Sequence, residues 1–265
     1  MNDGLQVFLQ GIGVRGPGMA GWDAARAVLR HETALELTPT ILPPAEALPP
    51  AERRRIGIPI KLSMAVGFEA AHHAGIDPAE LANVFSSTGG DCDNCHAILE
   101  TLASSDRQIS PTRFHNSVHN APSGYWSIAT HCMAPSTSLC AYDATFAAAL
   151  LEAASQACAS GKPCLLVAYD TAYPQPLYAF RPIPHPFGVA MVLSPERNER
   201  SLAALRIRLS PEKPHEMAFP ELDALRASIP AARSLPLLEI LAQSGSSGCV
   251  LEYLEDLSLA VEVQQ

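Results

Sequence analysis

The chain has 265 residues, is 48% apolar and 17% charged, and carries a net charge of −9. This composition builds a packed core and excludes a disordered chain, and the acidic balance, with no basic run beyond Arg53-Arg54-Arg55, argues against nucleic-acid binding. No stretch approaches the roughly 18 uninterrupted apolar residues of a membrane span and no cationic, apolar signal segment opens the chain, so a cytoplasmic location is expected.

Leu5 to Gly13 alternates around Val7, Leu9 and Ile12 and predicts a first strand, broken by Gly16-Pro17-Gly18. Trp22 to Leu29 predicts a short helix. Pro39 to Pro50 contains five prolines and reads as an extended loop. Ile60 to Ala74 has helical apolar spacing, with Gly75 as its C-cap. Asn83 to Ser87 predicts a strand, and Cys92 to Leu102 a helix capped by Asp91. Further on come a helix from Ala121 to Thr130, a strand from Ser136 to Ala141 and a long Ala-rich helix from Ala144 to Ser160. A strand over 163–169 leads into a loop with five prolines between Tyr173 and Pro186. Phe187 to Leu193 and Leu202 to Leu209 are expected to be neighbouring strands. Helices follow over 220–228 and 236–243, and Cys249 to Leu254 is taken as the last strand. Strands alternate with helices through the first two thirds, which predicts an α/β fold with a mainly parallel, doubly wound sheet and helices on both faces.

The seven cysteines are odd in number and scattered, unlike a secreted disulfide framework. Cys92 and Cys95, followed by His96, lack the second ligand pair a zinc site needs; they read as ordinary thiols, and neither metal nor cofactor is expected. The run Pro135-Ser136-Thr137-Ser138-Leu139-Cys140-Ala141-Tyr142-Asp143 carries more chemistry. A strand enters a tight turn at the start of a buried helix, where free N–H groups and the helix dipole stabilise an anion. A cysteine at such a turn becomes a reactive thiolate. Asp143 stands there instead: it can cap the helix, but it is a poor acyl-transfer nucleophile.

The stretch from Ala134 to Ala153 resembles the nucleophile turn of the β-ketoacyl synthases of the thiolase superfamily. Val7–Gly18, Lys61–Gly75, Phe85–Asn94 with Gly89-Gly90-Asp91, Ser110–Asn120 with Gly124, Leu165–Asp170 and Phe187–Leu193 resemble other parts of that family in the same order. The resemblance covers about residues 5 to 195 and implies a thiolase-like lobe with a reduced second half. The whole chain, 1–265, would be one ketosynthase N-terminal-like domain, with 196–265 a remnant of the second lobe. Two departures bear on function. Asp143 replaces the nucleophilic cysteine, and the family's His-Gly-Thr-Gly-Thr motif with its catalytic histidine does not occur after it. His185 and His215 have no matching context and read as packed or solvated side chains.

Ketosynthases without the cysteine are similar to chain length factors, here to the short form associated with aryl polyene pigments. The resemblance implies a protein without condensing activity of its own. It would pair with an active ketosynthase as a heterodimer or heterotetramer, meet substrates on acyl carrier protein, and shape the partner's acyl tunnel. By the same resemblance Ser110 to Val118 crosses the interface, with Arg113, Phe114, Ser117 and Val118 as tunnel or interface residues; Phe114 is either the gate or a core aromatic. His115, Asn116, His119 and Asn120 are polar for a tunnel wall and suit hydrogen bonds across the interface. Two alternatives remain open. Gly11-Ile12-Gly13-Val14-Arg15-Gly16 is formally a dinucleotide-binding GxGxxG, with Glu32 at the right distance for the ribose acid, although a helix rather than a strand precedes it. Cys140 or Ser138 would serve an acyltransferase, although both fall inside the predicted strand.

Overall fold

The computed structural model describes residues 4–265. In chain order its elements are β1 (Leu5–Arg15), α1 (Trp22–Leu29), α2 (Pro50–Arg53), α3 (Ile58–Ala74), β2 (Ala82–Ser86), α4 (Cys92–Ala103), α5 (Pro111–His115), α6 (Ala121–Thr130), β3 (Ser136–Leu139), α7 (Thr145–Ser160), β4 (Cys164–Asp170), α8 (Leu177–Phe180), β5 (Phe187–Ser194), β6 (Ala203–Ser210), α9 (Pro220–Ser228), α10 (Leu235–Ala242), β7 (Ser246–Leu251) and β8 (Ser258–Gln264). Single 3₁₀ turns occupy Pro78–Glu80, Tyr142–Ala144 and Pro230–Ser234.

The described strands form one sheet in the order β3-β2-β4-β5-β1-β6-β8-β7. Helices cover both faces, as expected. α3 and Trp126 of α6 pack against one side, and α1, α7, α9 and α10 against the other. The central strands are therefore apolar on both faces. In β4, Leu166 and Ala168 join the α7 side while Leu165 and Val167 join the α3 side.

The pairing is mixed rather than mainly parallel: only β2–β3 and β2–β4 run parallel, and the other five ladders are antiparallel. Parallel neighbours need a long crossover, and helices supply one between β2 and β3 and between β3 and β4. The proline loop after β4 contains only the single turn of α8, so β5 returns antiparallel. Nor are β5 and β6 neighbours. β1 lies between them and pairs with both. The last strand is β8, beyond the expected end at Leu254, and it links β6 to β7. Residues 203–264 thus extend the same sheet.

β1 explains its own glycines. Its register with β5 shifts between Leu9 and Gly11. Val7 and Leu9 before the shift, and Ile12 and Val14 after it, all face the α7 side. An extra residue at a bulge reverses the inward-outward phase, and Gly11 and Gly13 are thereby turned onto α3. A Cβ at either would collide with the backbone carbonyls of Ala70 and Val66. The GxGxxG match therefore serves close helix–strand packing, and its first two glycines lie within the strand instead of a phosphate-binding turn.

Candidate functional site

β3 ends at Leu139, and the chain passes through Cys140 and Ala141 into the turn Tyr142–Ala144 before α7. Tyr142 adopts a left-handed backbone, φ 53°, a conformation that is uncommon for a bulky side chain. Thr145 closes the turn: its hydroxyl donates to the Tyr142 carbonyl at 2.6 Å and accepts from Ala141 N at 3.1 Å. Asp143 does not cap α7, contrary to expectation. Its carboxylate is taken by two arginines. Arg181, from the proline loop, donates to Oδ1, and Arg233, from the Pro230–Ser234 turn, lies 3.2 Å from Oδ2. Arg181 also stacks on the Tyr142 ring, 3.8 Å from its centre. Arg233 in turn pairs with Glu252. Shallow clefts of about 410 and 370 Å³ flank Asp143, one reaching Tyr253 and Leu254, the other Phe180 and Ala224.

Both oxygens of this carboxylate are thus engaged by guanidinium groups. Neither nucleophilic attack nor proton abstraction is favoured there. The acyltransferase alternatives fare no better. Cys140 is exposed just past β3 instead of within it, and its thiol donates to the Thr88 carbonyl at 3.3 Å. Ser138 Oγ lies 3.3 Å from Ser123 Oγ. Neither partner is a general base of the kind a nucleophile needs. Burial pushes the Cys92 thiol up to about 11, and it donates to the Gly89 carbonyl, as an inert thiol does. His215 is exposed and His185 half-buried.

A second acid lies behind the turn. Asp170, fully buried at the end of β4, accepts from Thr88 N at 2.9 Å and Ser87 Oγ at 3.3 Å, and from Ala231 N at 2.8 Å. Burial pushes its carboxyl up to about 7, although these donors and Arg181 pull the other way. The resemblance had marked Asp170 only as the end of a strand. Arg181 and Arg233 carried no motif at all, and only their convergence on Asp143 reveals them.

The segment 110–118 is built differently. Phe114 is 68% exposed, so it is not a core aromatic, and Val118 is exposed as well. Arg113 is exposed and Ser117 half-buried. Beneath them the backbone is held. Asn94 Nδ2 donates to the Arg113 carbonyl at 2.8 Å. Asn116, buried, donates to the Arg55 carbonyl at 2.8 Å and accepts from Tyr125 OH at 3.1 Å. His119 Nε2 donates to the Ser87 carbonyl at 2.9 Å. Asn116 and His119 thus form hydrogen bonds within the chain.

Residues 22–247 match the family model for the β-ketoacyl synthase N-terminal domain. The chain belongs to the β-ketoacyl synthase family. Solved structures agree in fold. A ketosynthase (ApeO) in complex with its chain length factor (ApeC) from Xenorhabdus doucetiae is matched with a TM-score of 0.72 at 21% identity, over 98% of this chain and 100% of the other. The AntDE:AntF complex, a type II polyketide-synthase acyl-carrier protein with its ketosynthase bound to the hexaketide, gives 0.73 at 13%, over 98% and 99%. The ishigamide ketosynthase/chain length factor gives 0.69 at 14%, also over 98% and 99%. A comparison with curated proteins returns no match. In this ketosynthase-like chain no helix among the described residues is long and apolar enough to cross a membrane.

Proposed function

We propose that this member of the β-ketoacyl synthase family is a chain length factor: a subunit without condensing activity that pairs with an active ketosynthase and shapes its acyl tunnel. The observation that carries the reading is the nucleophile position itself, where Asp143 is bound by Arg181 and Arg233. Two structures with the same fold contain a ketosynthase together with its chain length factor, which supports the pairing. β3 lies at one edge of the sheet, and an edge strand offers unpaired backbone groups to a partner. Met133, just before β3, and Ile128, on the adjacent α6, are exposed near that edge.

In this reading the partner supplies the cysteine and both histidines, and acyl carrier protein delivers the growing chain to the complex, in a cytoplasmic pathway of aryl polyene type. Arg113, Phe114, Ser117 and Val118 face the partner, with Phe114 as the tunnel gate. A large ring fixed at the end of a tunnel limits length by steric exclusion, since close-packed protein yields little to each added carbon unit. In the same reading residues 196–265 are a remnant of the family's second lobe.

The test is co-purification of the tagged chain with a Cys-His-His ketosynthase from the same source, followed by light-scattering mass on a sizing column. A stable complex of one copy of each, or two of each, is expected. A well-behaved monomer or homodimer that ignores the ketosynthase would refute the reading.

A further inference from the structure

The replaced nucleophile is one link in a longer series of charges. Arg181, Asp143, Arg233 and Glu252 alternate in sign and come from four separate segments: the loop after α8, the turn before α7, the Pro230–Ser234 turn and the chain just past β7. The two cations are the shielded members, with 19% and 13% of their side chains exposed. Charges removed from water persist only when paired. With Asp143 and Glu252 in place the four charges cancel. Without Asp143, Arg181 would lose its ion-pair partner and Arg233 would keep only Glu252.

The Pro230–Ser234 turn has a second anchor. Asp170, at the end of β4, accepts from Ala231 N while its other oxygen accepts from Thr88 N, two residues past β2. The turn is thus fastened by two acids, one from the end of a central strand and one from the former nucleophile position. It also packs against α7.

We infer that Asp143 is the centre of an ion clamp that holds residues 230–234 and 252 against the nucleophile turn, so that this site is braced as well as chemically silent. Asp143 is in this sense a structural replacement for the cysteine. Asp143→Cys would loosen the clamp while gaining a thiol without histidines. The clamp lies entirely within this chain and does not depend on the chain length factor reading.

Amide hydrogen exchange on the full chain tests it. In Asp143→Asn, which keeps the shape and loses the charge, peptides covering 177–183 and 229–235 should exchange at least about tenfold faster than in the parent, because local opening is no longer opposed by the paired charges. Peptides covering 111–118 should not change. The difference should persist in about 0.5 M salt, since shielded pairs are screened far less than surface pairs. Unchanged exchange in both segments, or a difference that salt abolishes, would overturn the clamp. Glu252→Gln provides a milder test should Asp143→Asn not fold. It should speed exchange in 229–235 and leave 177–183 as in the parent, and an unchanged 229–235 segment would count against the clamp.

Discussion

At the Tyr142–Ala144 turn a charged side chain is turned onto two arginines and neutralised. On the 110–118 segment an aromatic and a β-branched side chain are left bare over a backbone held by buried amides. The first arrangement ties four segments together by charge, and the second presents a surface. The proposed reading gives stability to Asp143 and recognition to Phe114, and substitutions can separate the two.

The largest loss of stability should come from Asp143→Ala. Removing one partner of a shielded ion pair costs about 3 kcal/mol, the lower end of the range because Asp143 itself is partly exposed. Urea unfolding would show this as a lower midpoint with an unchanged slope. Asn116→Ala comes next, at about 1–3 kcal/mol, because the Arg55 carbonyl and the buried Tyr125 hydroxyl lose their partner. It should also weaken association with the ketosynthase, since the support under Phe114 is gone. A variant that loses stability but binds the partner with full affinity would break the link between support and presentation.

The pH dependence sharpens the first half of the contrast. The Asp170 carboxyl is raised from the usual carboxylate range to about 7, so between roughly pH 4 and 7 the folded chain binds a proton that the unfolded chain has released. Its contribution to stability is complete below the unfolded pKa and is lost as pH rises through about 7. Melting temperatures at pH 5 and 8 should fall more for the parent than for Asp170→Asn, and equal falls would remove Asp170 from the account. The smallest effect on stability belongs to Phe114→Ala, within about 0.5 kcal/mol because the ring is exposed. In the assembled complex the same change should lengthen the product. Unaltered length with intact pairing would leave Phe114 as an interface residue only.

Much of the local structure was legible in the chain. Gly75 and Gly161 end α3 and α7 in left-handed conformations, Asp91 caps α4, and α1 spans Trp22–Leu29 as its spacing predicts. These features depend on neighbours within a turn or two. The order of the strands was less so. The apolar pattern of β5 and β6 marks both as strands but does not say that β1 separates them. β8 alternates Leu259, Val261 and Val263 toward the core, a strand period that its residues carry. Of the site, the aspartate in the turn before α7 was legible because its motif is contiguous, as was the segment bearing Phe114.

The amino-acid sequence by itself determined the elements, the family resemblance and the aspartate of the turn before α7, because caps, periodicity and a strand-turn-helix motif are written in residues close along the chain. Only the tertiary structure decided that Phe114 lies outside the core and that the glycines of β1 receive a helix. It also decided that Asp143 meets Arg181 and Arg233. Those partners are brought within 4 Å by sheet order and helix packing, and charge pairing over such sequence distances leaves no periodic or local pattern to read.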